Sequence, residues 1–145
     1  MKILFLVHVQ EMFREHFPDR MYVPRLVRAL ESYDKVYCFN FEDPAIWELE
    51  SHCWAPQQVE WGWGYEPDMF GLDEDGNRDG EDEWVIPTSS PHEWTWVHPI
   101  LRDKDEWNRH VISVGGGCES ECLQDFKDVL EFVGINHRVV QGYVY

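Results

Sequence analysis

The chain has 145 residues, the length of one domain, and its 43% hydrophobic and 28% charged residues are enough for a core, which excludes global disorder. Its 28 acidic and 12 basic residues give a net charge of −16, which excludes the basic patch that nucleic acid or an anionic membrane requires. No apolar stretch approaches the roughly 18 residues of a membrane span, and no leader pattern precedes the four cysteines Cys38, Cys53, Cys118 and Cys122; the expectation is a reduced, cytoplasmic protein without disulfides.

In chain order, Ile3-Leu4-Phe5-Leu6-Val7 is a continuous apolar run, the signature of a strand buried on both faces of a parallel sheet. Polar His8, Gln10 and Glu11 follow it at once. Residues Pro24 to Ser32 read as a helix, with Pro24 in the first position and Leu26, Val27 and Leu30 as its apolar stripe. Lys35 to Phe41 is the second strand, and this strand–helix–strand unit calls for a right-handed crossover. Asp43-Pro44 starts a second helix that reaches about Cys53.

The periodicity then stops. Residues 54 to 83 carry Gly, Pro, Trp and many acids, and read as a long irregular insertion. Trp84 to Ile86 and Thr95 to Leu101 are expected strands, and Asp103 to Asn108 a short helix. Val111 to Val114 is a buried strand that runs into Gly115-Gly116-Gly117. A helix follows from about Glu119 to Val133, with Cys122, Phe126, Val129, Leu130 and Val133 on one face and Gly134 as its C-terminal cap. Asn136 to Val140 closes the pattern, with Tyr143 to Tyr145 as an extension. The fold class is therefore α/β: one domain spanning residues 1–145, a Rossmann-like three-layer sandwich around a mainly parallel sheet, with a long acidic, Trp-rich insertion.

In such sheets ligands bind beyond the carboxyl ends of the strands. One strand end delivers His8 and Gln10, another Gly115, Gly116 and Gly117 followed by Cys118 and Cys122. If these strands are neighbours, His8 and the glycine turn face one crevice. Glycines allow close backbone approach, and the N–H groups at a helix start would hold an anion or an oxyanion. A thiol in the first turn would gain thiolate character from the same field, although Glu119 and Glu121 oppose both effects. A tight packing turn accounts for the same glycines, and a small buried apolar side chain for Cys122.

The opening Leu4-Phe-Leu-Val-His-Val-Gln-Glu-Met-Phe13 resembles the first strand of isochorismatase-like cysteine hydrolases, the nicotinamidase group, which continues as Asp-x-Gln with a Phe three residues on. Residues Ile112 to Val140 resemble that family's later strand, glycine turn and helix, with Gly116 six residues before Cys122. The resemblance implies Cys122 as nucleophile in hydrolysis of small amides or esters. His8 stands where the family has its catalytic Asp, so His8 would be a substitute base. Lys104, the one Lys of the region, lies too close to Cys122 to match the family's catalytic Lys.

Two further motifs compete. Asp75-Gly-Asn77-Arg-Asp79-Gly80 matches the first half of a calcium loop, but position twelve is Ile86 where a bidentate Glu is needed. His92, His98 and His110 match no metal-ligand spacing, and no metal or cofactor is expected. The reading carried forward is a small-molecule-binding domain, for a small-molecule or anionic ligand, with a cysteine hydrolase as its catalytic form. The alternative is a non-catalytic interaction or ligand-sequestering protein of the kind viral genomes encode. It would grip a protein partner or a second copy through Trp61, Trp63, Trp84, Trp94 and Trp96 in their acidic setting.

Overall fold

The computed structural model describes residues 1–41, 46–52, 56–61, 84–90 and 94–145. The expected Asp43-Pro44 helix start, Cys53, Trp63, the 73–83 acidic run and His92 lie outside the described residues. Five strands form one parallel sheet: β1 (Lys2–Val7), β2 (Lys35–Asn40), β3 (Gln57–Glu60), β6 (Val111–Gly116) and β7 (Arg138–Val144), in the order β3-β2-β1-β6-β7. A separate antiparallel hairpin joins β4 (Val85–Pro87) to β5 (Trp94–Trp96).

The apolar run of β1 is explained by helices on both faces of the sheet. Leu4 and Leu6 pack with Tyr22, Leu26 and Leu30 of α1 (Tyr22–Leu30) and with Leu49 of α2 (Trp47–His52). Ile3, Phe5 and Val7 pack with Leu123, Phe126, Val129 and Leu130 of α4 (Cys122–Val133). Phe5 stands at the centre of that second layer, edge-on to Phe39, Trp107 and Phe126 at centroid distances of 5.2, 5.0 and 5.8 Å. Each such pair adds about 0.5–1.5 kcal/mol beyond the area it buries. The three-layer α/β sandwich expected from the strand–helix alternation is the observed fold.

The hairpin and the short helix α3 (Lys104–Trp107) cover the rest of the α4 face. Asp128 on α4 accepts hydrogen bonds from the amide and hydroxyl of Ser89, both at 2.8 Å, and Asp125 accepts one from the Ser90 hydroxyl. The Arg102 guanidinium lies over the rings of Trp84 and Trp96, 4.9 and 5.1 Å from their centroids. These contacts, not a continuous sheet, hold the hairpin in place.

Several boundaries differ from expectation. Gln57–Glu60, inside the stretch expected to be irregular, is a true edge strand; it is short, preceded by Pro56 and mostly exposed, so it shows no hydrophobic period. The strand expected from Thr95 to Leu101 ends at Trp96. Pro99 cannot donate to a ladder, and His98 Nδ1 accepts from the Ile100 amide at 3.1 Å, so Pro99–Leu101 winds into a 3-10 turn. α1 begins at Tyr22, two residues before Pro24, still within the first turn where a missing N–H is harmless. α4 begins at Cys122, not Glu119, because the backbone at Glu121 (φ −124°, ψ −105°) lies outside helical space. Gly134 closes α4 at φ +91° as expected. Among the described residues no helix is long and apolar enough to cross a membrane.

Candidate ligand site at the carboxyl ends of the strands

β1 lies between β2 and β6, and the chain leaves β1 and β6 in opposite directions: β1 leads to α1 on one face, β6 to α4 on the other. That reversal is where open α/β sheets place their ligands. The register pairs Val7 with Gly116, so His8 and the glycine turn do stand side by side, as the sequence suggested. The Gly117 amide donates to the Val7 carbonyl at 2.9 Å, and the Tyr145 hydroxyl donates to the His8 carbonyl at 2.5 Å.

The glycine run itself is filled by packing. A Cβ on Gly115 would lie 2.5 Å from Tyr143 Cβ, and one on Gly117 would lie 2.6 Å from the Tyr145 ring. Gly116 has φ +100°, and a Cβ there would overlap the Val7 backbone. Three small residues are needed because β1, β7 and Tyr145 close on this turn from both sides. The Gly117 and Glu119 amides are engaged by the Val7 and Tyr145 carbonyls, so neither is offered to an anion.

Cys118 is half-buried at the turn, and Cys122 is buried at the start of α4. Burial pushes the Cys122 thiol well above its ordinary range, and Asp125 and Glu121 push it further. Both effects hold it protonated, whereas a nucleophile needs the thiolate.

The other half of the rim is polar and buried. His8 is 1% exposed at φ +52°, a conformation that few non-glycine residues adopt. Its ring stacks on Phe13 at 5.4 Å, and its Nε2 donates to the Trp61 carbonyl at 3.1 Å, since a carbonyl can only accept. Gln10 latches the β2 exit: its amide donates to the Phe41 carbonyl at 2.9 Å and accepts from the Phe41 amide at 2.8 Å. Asn40, the last residue of β2, is 7% exposed. Its Nδ2 donates to Gln58 Oε1 on β3, and its buried Oδ1 has no hydrogen-bond partner. A buried acceptor left so costs about 1–3 kcal/mol.

The structure thus brings together His8, Gln10, Gly115, Gly116, Gly117 and Cys118 at one rim, with Cys122 sealed beneath it. Asn40 and Gln58 were missed by sequence reasoning. The available signal was an Asn ending the apolar strand Val36-Tyr-Cys-Phe39. The described part of the Trp-rich stretch is used in packing: Trp61 is 3% exposed in the core, while Trp84, Trp94 and Trp96 are half-buried against it or against the hairpin. Among the described residues no group of three or more His, Cys, Asp or Glu side chains is placed to hold a metal. No protein-family model, no curated protein and no solved structure matches the chain, and the site is read from its own geometry.

Proposed function

We propose that the chain is a small-molecule-binding α/β domain whose ligand sits at the carboxyl ends of β1 and β2, against His8 and Asn40, and that binding there needs no chemistry at Cys122. The observation that carries this is the Asn40 amide oxygen, buried without a donor on the strand next to the reversal point. Folding alone gains nothing from such an atom, whereas a ligand N–H or O–H would repay it. The positive φ of His8 on the adjoining strand is a second local strain at the same rim, and strain of this kind gathers at functional sites.

The ligand class that fits is a neutral molecule with a hydrogen-bond donor and an apolar or aromatic body. A net charge of −16 disfavours anions, and the engaged amides of the glycine turn do not counter it. The test is a ligand-observed NMR screen of small amides and heteroaromatic amines against the wild type and Asn40→Leu. Ligands that bind the wild type and are lost with Asn40→Leu are the expected result. Ligands that bind both equally, or no ligand for either, would remove the proposal.

A further inference from the structure

The opposite end of the sheet carries a concavity. A cleft of about 210 Å³ lies between the amino ends of β1 and β2 and the segment from Ile100 to His110. Its floor is Ile3, Tyr37, Ile100 and Trp107, with the Tyr37 and Trp107 rings edge to face at 5.2 Å. The Trp107 indole N–H is taken by the Ile100 carbonyl at 2.7 Å, so Trp107 presents only apolar surface.

The rim carries both signs of charge. Lys35 stands at the start of β2, with Asp103 and Glu106 on the 100–110 segment. Among the described residues Lys35 makes no ion pair, with these carboxylates or any other. Asp103 spends one oxygen on the Glu106 amide, at 3.2 Å, as the cap of α3. Glu106 is within 3.5 Å of Arg109 and 3.7 Å of His110. The Met1 amine, also on the cleft wall, hydrogen-bonds to His110 Nδ1 at 3.3 Å, and like Lys35 it meets no carboxylate among the described residues.

Opposite charges held apart across an apolar floor suit one kind of ligand. An anion alone would meet Asp103 and Glu106 in a chain already at −16. A cation alone would be repelled by Lys35 and leave it unanswered. A zwitterion answers both. A cleft of this volume has room for a free amino acid of leucine size. We propose that this cleft binds a small zwitterion of the α-amino acid type. Its carboxylate lies on Lys35, its ammonium on Asp103 and Glu106, and its side chain on Tyr37 and Trp107. This site is independent of the one at the carboxyl ends.

The test is isothermal titration calorimetry of the full chain with L-leucine, N-acetyl-L-leucine and L-leucinamide. L-leucine is expected to bind, and blocking either charge to weaken binding about tenfold or more, the loss of one charge-assisted hydrogen bond. Lys35→Gln is expected to erase the advantage over leucinamide, and Glu106→Gln to reduce the advantage over N-acetyl-leucine. Both positions are exposed, and unchanged far-UV circular dichroism verifies that the variants fold. No binding of L-leucine, equal binding of all three compounds, or binding unchanged by both substitutions would overturn the proposal.

Discussion

The two halves of the carboxyl-end rim are built on opposite principles. After β6, three glycines, two tyrosines and the Val7 carbonyl close on one another until no space is left at Gly115–Gly117, and the Gly117 amide is taken by the Val7 carbonyl. After β1 and β2, a histidine in a rare backbone conformation stands beside an asparagine whose oxygen lacks a donor. A glycine run resembles a ligand cradle in sequence, yet here it serves packing. Among the described residues, the group that folding leaves unsatisfied is Asn40, which no motif marks.

The contrast can be broken most forcefully at Gly116. Gly116→Ala forces a Cβ onto the Val7 backbone at a positive φ, and is expected to destabilise the domain by about 3 kcal/mol or more in urea unfolding. A mild effect would mean that the turn has room, and the packing account of the glycines would fail. Next in size is the reactivity of Cys122. With burial and two carboxylates holding the thiol protonated, its alkylation by iodoacetamide at neutral pH is expected to run at least about a hundredfold slower than that of half-exposed Cys118, limited by local opening. Peptide mass spectrometry reads both rates, and a fast Cys122 would restore the hydrolase reading.

Tyr145→Phe removes the hydroxyl that holds the His8 carbonyl and is expected to cost about 1 kcal/mol, measured by the same urea titration. Asn40→Leu sharpens the contrast from the other side. It removes an unsatisfied acceptor and loses one bond to the exposed Gln58, so stability is expected to stay within about 0.5 kcal/mol of the wild type or to rise. Ligand binding at the rim should vanish with it.

The smallest effect lies away from the rim. Burial first, and Arg102 next, hold His98 below the ordinary imidazole range, with Glu60 opposing. The fold therefore favours neutral His98. Its contribution is complete above the unfolded pKa of about 6.5 and is lost as the pH falls below that towards the folded value. His98→Gln is expected to flatten the fall of the urea midpoint between about pH 7 and pH 5, and to leave the rim unaffected.

Most of the sheet was legible because β1, β2 and β6 are apolar on both faces, and that pattern arises when helices cover both sides. The helix face through Cys122, Phe126, Val129 and Leu130 was legible from its one-sided apolar stripe at helical spacing. β3 was not, because an edge strand with two glutamines carries no hydrophobic period. The placement of His8 beside the glycine turn could be anticipated only on the condition that β1 and β6 pair, which long-range topology decides. The character of the turn was hidden, since the side chains that fill it, Tyr143 and Tyr145, lie more than twenty residues downstream. Asn40 was hidden because one polar residue at a strand end is ordinary until its neighbours are known.

The most direct test of the account is a ¹H–¹⁵N chemical-shift map of the labelled chain with a fragment that survives the Asn40 screen. The largest shifts are predicted at the Asn40 and Gln10 side-chain amides and the His8 backbone, with the Gly115–Gly117 amides unmoved. Shifts centred on Gly115–Gly117 and Cys118, with Asn40 silent, would place the ligand on the other half of the rim and contradict it.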